Sequence, residues 1–130
     1  RNIHTQDISD LSPISGLTSL VELRLAGNSF TDLSPLRGLD SLEYLELTGN
    51  SITDISPLSG LTKLVALDLR FNPDLTNINA LMENPGIGAG DVVELRHTNV
   101  SCIDQARLAE KGVEVRTELF SSCATATRQR

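Results

Sequence analysis

Leu20-Val21-Glu22-Leu23-Arg24-Leu25-Ala26-Gly27-Asn28 is the first of three segments with the form LxxLxLxxN. Two further copies run from Leu42 to Asn50 and from Leu64 to Asn72, so the closing asparagine returns every 22 residues. A repeat of this length is typical of a solenoid, because one strand and its return turn can bury an apolar face only against the next unit. The sequence therefore predicts a short spiral with a parallel sheet along one side.

Each repeat has seven apolar positions, which are predicted to form the core. Alternation along the strand puts Leu23 and Leu25 on the buried side, and Glu22, Arg24 and Ala26 on the solvent side. The predicted core positions are Leu17, Leu20, Leu23, Leu25, Phe30, Leu33 and Leu36, then Leu39, Leu42, Leu45, Leu47, Ile52, Ile55 and Leu58, then Leu61, Leu64, Leu67, Leu69, Leu75, Ile78 and Leu81.

Polar residues mark the two ends of each return limb. The asparagine amide can pair with backbone groups left open by the turn, so we expect Asn50 to be buried. Asn84 lies outside the pattern, and we expect it not to be buried.

The sequence Asp-Leu/Ile-Ser-Pro recurs three times, beginning at Asp10, Asp32 and Asp54. Asp and Ser can cap a helical turn that begins with proline, which predicts 3₁₀ turns. Capping explains these aspartates better than a calcium ladder, since the other oxygen ligands are missing.

The motif DLSPLxGLxxLxxLxLxxNxI resembles the 22-residue leucine-rich repeat of the bacterial internalins, over residues 8 to about 81. The same repeat class occurs in solenoid regulatory subunits of the eukaryotic phosphatase-1. The resemblance implies an α/β leucine-rich-repeat solenoid with a parallel β-sheet on the concave face and 3₁₀ turns on the convex face. It also implies a short C-terminal capping helix and strand.

We expect residues 1–130 to form a single domain of four or five coils. Residues 1–7 align with a partial coil, 8–81 with regular repeats, 82–116 with a C-terminal capping region and 117–130 with a polar tail. An N-terminal cap is not visible, although an open solenoid needs one. We therefore expect the chain to be a piece of a longer protein.

The capping region begins with a turn-rich loop from Asn84 to Asp91, after which residues 92–97 resume the strand alternation. Thr98 takes the asparagine position, which puts the last internal asparagine contact in doubt. Ser101 is predicted to N-cap a helix that stops near Gly112, followed by a strand over 113–116. The predicted apolar stripe of this helix consists of Ile103, Ala106, Leu108 and Ala109.

Composition narrows the classes of partner. The formal charge of −6 disfavours nucleic acid and anionic membranes. No run of about 18 apolar residues exists for membrane insertion.

Cys102 and Cys123 leave two interpretations open: a disulfide that fixes the tail to the cap, or a small buried Cys102. We expect a monomer that binds a protein.

The sequence lacks the common motifs for catalysis, metal binding and cofactor binding. The sequence has no nucleophile elbow, Walker loop or HExxH pattern. The glycines between Gly86 and Gly90 precede a strand instead of opening a helix, so they cannot aim helix amides at a phosphate. His4 and His97 are too far apart to share a metal. The sequence therefore predicts no catalytic residue, no metal site, no cofactor and no enzyme.

The exposed face of the predicted sheet is then the candidate site. Its outward positions form columns, with an acidic band beside a basic edge and few aromatic residues. The predicted partner-binding residues are Glu22, Arg24, Tyr44, Glu46, Asp68, Arg70, Phe71, Glu94, Arg96 and His97. The alternative is an inert solvated face, on which Asp68 pairs with Arg96 or Glu94 with Arg70.

These observations favour a protein-recognition module that binds on its concave face, in a secreted or cell-surface bacterial protein. Two alternatives stay open. One is a cytoplasmic scaffold that resembles the phosphatase regulators. The other is a recognition domain attached to an enzyme in flanking sequence.

Overall fold

The computed structural model describes residues 10–117, and the sheet within it is parallel throughout. Five strands follow one another in chain order: β1 Glu22–Arg24, β2 Tyr44–Glu46, β3 Ala66–Asp68, β4 Val92–Glu94 and β5 Glu114–Arg116. Equivalent residues lie opposite each other, as Leu45 does between Leu23 and Leu67. The predicted leucine-rich-repeat solenoid is confirmed. The predicted partial coil 1–7 lies outside the described residues, as does the predicted polar tail beyond Thr117.

The return limbs contain the predicted 3₁₀ turns, at Ser12–Ile14, Ser34–Leu36 and Ser56–Gly60. The N–H of the first serine in each turn donates to Oδ1 of the aspartate two residues earlier, at 2.9 Å in all three limbs. In the fourth coil Asn79-Ala80 replaces Ser-Pro, and the limb is the short helix α1, Asn79–Glu83. There the N–H of Asn79 donates to Oδ1 of Asn77, also at 2.9 Å. The side-chain amide oxygen of Asn77 therefore accepts the same capping hydrogen bond as the aspartate carboxylates.

These capping bonds predict a specific response to acid. The backbone and side-chain hydrogen bonds from Ser34 lower the pKa of Asp32, and those from Ser56 lower the pKa of Asp54. A carboxyl whose pKa is lower in the folded state stabilises the fold above its unfolded pKa, about 3.9, and this contribution is lost as the pH falls through the folded value. An Asp32→Asn/Asp54→Asn variant keeps both acceptors and lacks both titrations.

We therefore expect this variant to lose less of its thermal stability than wild type between pH 6 and pH 3. Melting curves followed by circular dichroism at the two pH values measure the difference. The matched Asp32→Ala/Asp54→Ala variant should be less stable than wild type already at pH 6, because both caps are gone. Equal acid sensitivity of wild type and the Asn variant would contradict the assignment.

The core is the predicted ladder with one exception. Every predicted position except Leu17 is buried, whereas Leu17 is 37% exposed. Leu17 lies in the first described coil, where no described coil covers its N-terminal side. The equivalent Leu39 and Leu61 each have a coil on both sides and are fully buried.

The asparagine ladder joins neighbouring coils, as predicted. Nδ2 of Asn50 donates to the carbonyl of Leu47 at 3.0 Å and to that of Leu25, in the preceding coil, at 3.1 Å. Nδ2 of Asn72 bonds the carbonyls of Leu69 and Leu47 in the same way, both at 3.0 Å. At the last position the Thr98 hydroxyl donates to the Leu95 carbonyl at 2.7 Å. Threonine thus keeps the contact within its own coil.

The expectation for Asn84 was wrong. Its side chain is fully buried, and Nδ2 donates to the carbonyls of Leu58 and Leu61 at 2.9 and 3.0 Å. The same loop approaches the third coil so closely that a Cβ on Gly86 would lie 1.9 Å from the Thr62 carbonyl oxygen. The loop is therefore fixed to the preceding coil, because its buried amide and a glycine bring the two backbones together.

The C-terminal cap contains helix α2, Cys102–Glu110. The hydroxyl of Ser101 accepts from the N–H of Asp104 at 3.1 Å, which confirms the predicted N-cap. The predicted apolar stripe is wrong in part: Ile103 and Ala109 are exposed, and the buried residues of the helix are Gln105 and Leu108. Burial of Gln105 is possible because its amide donates to the Val100 carbonyl at 3.0 Å.

The chain turns from α2 into β5 at Gly112, which has φ +94°. Cys102, the first residue of α2, is half-buried and disulfide-bonded. Cys123 lies outside the described residues, so the Cys102–Cys123 bridge stays a prediction.

Lys111 holds this cap onto the fourth coil. Its Nζ donates to the carbonyls of Leu81, Met82 and Asn84 at 2.7, 3.0 and 2.9 Å. These carbonyls lie at the C-terminal end of α1, where the helix leaves acceptors without intrahelical partners and carries partial negative charge. A single ammonium group therefore satisfies a helix end about 30 residues earlier in the chain.

Replacing Lys111 with methionine should keep the aliphatic stem and remove all three donors. We expect the free energy of unfolding to fall by about 1 to 3 kcal/mol, because these carbonyls lose their charged partner. Urea unfolding followed by circular dichroism measures the loss. Lys63→Met, at an exposed lysine, is the control and should leave the transition nearly unchanged. If the two variants unfold alike, Lys111 does not cap α1.

Candidate protein-binding face

The outward side of the sheet presents the predicted columns in register. In a leucine-rich-repeat solenoid this side is the concave face. One column contains Glu22, Tyr44, Ala66, Val92 and Glu114, and the next contains Arg24, Glu46, Asp68, Glu94 and Arg116. The structure thus brings the predicted strand residues together on one face. It adds the β5 residues Glu114 and Arg116, which alternation over residues 113–116 could have revealed.

Among the described residues, four of the five ion pairs on this face join residues two apart in the chain, and the fifth, Arg116 with Glu94, joins β5 to β4. The alternative interpretation predicted Asp68 with Arg96 and Glu94 with Arg70, and neither pairing is observed. Instead Nη2 of Arg70 lies 2.7 Å from Oδ2 of Asp68, and Nε lies 3.0 Å from Oδ1. Residues two apart on a strand share a face, and the backbone N–H of Arg70 also donates to Asp68, at 3.1 Å. Asp68 is therefore turned toward the end of its own strand.

Asp68 is buried, which makes its partner necessary for the fold. Burial raises the pKa of Asp68, but hydrogen bonds from the side chain and backbone of Arg70 outweigh it, so the pKa lies below its usual value. Removing Arg70 would leave a buried carboxylate unpaired, which is strongly destabilising. Arg70 is thus a structural member of the face as well as a candidate contact.

The neighbouring charges are held less firmly. Glu94 is shared between Arg96, at 3.8 Å, and Arg116, at 3.4 Å, while Arg116 also bonds Glu114 at 2.7 Å. Within residues 10–117, Glu46 makes no ion pair. Within the described residues the Glu46 carboxylate is therefore without an ion pair, and the Arg96 guanidinium is only weakly engaged.

Tyr44 lies on β2, near the charged side chains of Arg24 and Glu46. The Arg24 guanidinium carbon is 4.9 Å from the centre of its ring, and Arg24 itself bonds Glu22 at 2.6 Å. Partial burial, followed by the nearby Glu46 carboxylate, raises the pKa of Tyr44. A phenol is protonated at neutral pH even at its ordinary pKa of about 10, so Tyr44 carries a hydrogen-bond donor on this face.

A shallow depression of about 180 Å³ lies beside Tyr44. Sites for drug-sized molecules occupy roughly 300 to 1,000 Å³, so this one suits a single protein side chain better. Four of its residues were not among the predicted site residues: Ala66, Val92, Arg116 and the core residue Leu67. The sequence signal for this depression is a column in which the small Ala66 lies between the larger Tyr44 and Val92. The depression is lined by Tyr44, Ala66, Leu67, Asp68, Arg70, Val92, Glu94 and Arg116.

Phe71 and His97 form a stacked pair at the end of β3 and β4. Their ring centres are 4.4 Å apart and the rings are inclined by 17°. Both residues have φ +59°, and the equivalent positions in the first two coils are Gly27 and Gly49, with φ +71° and +72°. A left-handed backbone costs a non-glycine residue roughly 1 to 2 kcal/mol. Two aromatic side chains are thus carried where the local backbone favours glycine.

Two kinds of site are missing from the described part of the chain, a metal cluster and a membrane-spanning helix. No cluster of three His, Cys, Asp or Glu side chains within residues 10–117 could hold a metal ion. None of the helices described has the length and apolarity needed to cross a membrane. The groups available on the face are aromatic rings, guanidinium groups and carboxylates, which suit noncovalent recognition.

Comparison with known proteins agrees with the repeat and the fold. Residues 18–73 match the family model described as a leucine rich repeat. The crystal structure of internalin C2 from Listeria monocytogenes is similar, with 31% identity, a TM-score of 0.71 and coverage of 85% of this chain. The chain is an internalin-type leucine-rich-repeat protein. A second Listeria monocytogenes internalin (inlF) is similar with 30% identity, a TM-score of 0.72 and coverage of 86%.

This internalin-type chain spans 47% of the internalin C2 chain and 34% of the inlF chain. Among curated proteins no match was found. The fold and the family fit a protein-interaction module in general.

Proposed function

We propose that this internalin-type chain recognises a partner protein on the outward face of its sheet, as part of an exported or surface-located bacterial protein. The observation that carries the proposal is the set of side chains on that face. Tyr44 and the exposed Phe71 both lie there, and aromatic and arginine side chains contribute most of the energy at protein interfaces. The return limbs present mainly short capping residues.

The energetic asymmetry between the two sides of the sheet supports the same proposal. Inward residues such as Leu45 and Leu67 are buried and hold the coils together. Outward residues such as Tyr44 and Glu46 remain accessible and contribute little to the core. Neither Tyr44 nor Glu46 belongs to the buried core, so binding is the best explanation for a large and a charged side chain at these two positions. Bacterial export is supported by the similarity to Listeria internalins.

The test places a bulky side chain on each side of the solenoid. Ala66 is half-buried beside Tyr44 and Val92, so Ala66→Arg fills the central depression without removing a contact residue. A partner that lies across the face should then bind at least about tenfold more weakly, a loss of about 1.4 kcal/mol. Titration of the physiological partner by calorimetry measures the change.

The matched control is Thr53→Arg, at an exposed position of the return limb. It adds the same side chain and should leave affinity unchanged. Both variants are first checked for a wild-type melting curve. Unchanged affinity in folded Ala66→Arg, or an equal loss in Thr53→Arg, would place the binding surface elsewhere.

A further inference from the structure

We propose that Phe71, Arg96 and His97 form an anchor that binds a partner segment in which a carboxylate side chain lies next to an aromatic or large aliphatic one. We call these three residues the aromatic corner. The inference rests on the proposed function and names the partner chemistry recognised at one end of the same face.

The backbone of the aromatic corner is the first argument. Gly27 and Gly49 fill the left-handed position after the first two strands, and Phe71 and His97 fill it after the next two. The N–H of Phe71 donates to the Arg96 carbonyl at 3.1 Å, as the N–H of Gly49 does to the Arg70 carbonyl at 2.9 Å. The coil-to-coil bond is thus the same with glycine or with an aromatic residue. The rings are not needed to build this turn.

The apolar surface of the corner is the second argument. Phe71 is 50% exposed, and its ring stacks on that of His97 instead of entering the core. Two stacked rings form a flat, rigid surface that loses little conformational freedom on binding. A flat apolar side chain of a partner can pack against it.

Charge is the third argument, and it changes in the same two coils. The residue before the left-handed position is Ala26 or Thr48 in the first two coils, and Arg70 or Arg96 in the next two. Arg70 is engaged by Asp68, at 2.7 Å. Arg96 is 44% exposed, and among the described residues its nearest carboxylate, that of Glu94, is 3.8 Å away. A guanidinium with unused donors beside an aromatic surface is complementary to a carboxylate beside an apolar side chain.

The experiment uses synthetic octapeptides as probes, with random flanks around a central dipeptide. One set carries Glu-Phe, the second Lys-Phe and the third Glu-Gly. Binding of the full chain to the three arrayed sets is measured for wild type and for five variants: Phe71→Gly, Arg96→Gln, Arg96→Glu, Tyr44→Ala and Ala66→Arg. Phe71→Gly installs the residue that the first two coils use, so it removes the ring without disturbing the backbone, and thermal melting verifies folding.

We expect wild type to bind the Glu-Phe set at least about tenfold better than the other two sets. Phe71→Gly and Arg96→Gln should each remove most of this preference. Arg96→Glu should shift the preference toward Lys-Phe, which loss of folding would not do.

Three outcomes would overturn the inference. Equal binding of the three peptide sets would show that the corner has no such selectivity. Binding lost in Tyr44→Ala and kept in Phe71→Gly would move the anchor elsewhere on the face and leave the proposed function standing. Selective binding that survives Phe71→Gly, Tyr44→Ala and Ala66→Arg alike would overturn both proposals.

Discussion

Replacing Leu45 with alanine is expected to lower the free energy of unfolding by about 2 to 5 kcal/mol. Leu45 is fully buried on β2, and the buried Leu23 and Leu67 lie on either side of it in register. The loss combines the transfer energy of the removed methyl groups with the cavity that remains. The neighbouring coils cannot collapse into this cavity, because backbone hydrogen bonds hold the strands at a fixed spacing.

Urea unfolding at neutral pH measures the change. Val65→Ala is the matched control, because Val65 is 47% exposed and precedes the same type of strand. Its effect should stay within about 0.5 kcal/mol. A Leu45→Ala variant that loses less than the control would mean that the register of the repeat is wrong.

Replacing Asn72 with leucine is expected to cost about 1 to 3 kcal/mol, and more than the same change at Asn50. Both amides donate to carbonyls of two coils. Oδ1 of Asn72 additionally accepts from the N–H of Ile52 at 3.1 Å, whereas Oδ1 of Asn50 has no hydrogen-bond partner. Leucine at position 72 therefore leaves one more buried backbone group unpaired.

The comparison uses Asn72→Leu, Asn50→Leu and, as an exposed control, Asn99→Leu in the same unfolding assay. The expected order of destabilisation is Asn72, then Asn50, then Asn99. Equal stability of the Asn72 and Asn99 variants would contradict the proposed role of the asparagine ladder. If the Asn72 and Asn50 variants lose the same free energy of unfolding, the hydrogen bond from the Ile52 N–H to Asn72 contributes no stability.

The regular part of the fold could be predicted from the sequence because each unit repeats the same physical problem. Leu23, Leu45 and Leu67 share one environment, so a pattern seen three times fixes strand, face and register together. Leu17 has the same type of side chain but lacks a described neighbour on one side. A periodic pattern says nothing about which unit is at an edge.

The capping region was less predictable, because its contacts join residues that are distant in sequence. The buried Asn84 amide donates to the carbonyls of Leu58 and Leu61, and the Lys111 ammonium group donates to carbonyls at the end of α1. Neither partner can be inferred from local composition. Gln105 was missed for a different reason: its partner, the Val100 carbonyl, is only five residues away, but apolar periodicity does not predict a buried amide.

The sequence predicted which residues lie on the candidate face, but it did not predict their ion pairs or the depression between them. Strand alternation assigned Tyr44, Glu46 and Asp68 to one side. It could not choose between competing ion pairs: Arg96 was the predicted partner of Asp68, whereas the observed partner is Arg70, whose backbone N–H also donates to Asp68. The depression depends on the small Ala66 beside Tyr44, a relation between side-chain sizes that alternation does not express.

Hydroxyl-radical footprinting of the wild-type chain, with and without its bound partner, tests the recognition face most directly. Tyr44, Phe71 and His97 are oxidisable side chains on the outward face, and Leu17 and Ile103 are exposed side chains away from it. We predict that oxidation of the first three falls on complex formation while oxidation of Leu17 and Ile103 is unchanged. Protection confined to Leu17, Ile103 or the return limbs, with Tyr44 and Phe71 oxidised as before, would contradict recognition on the sheet.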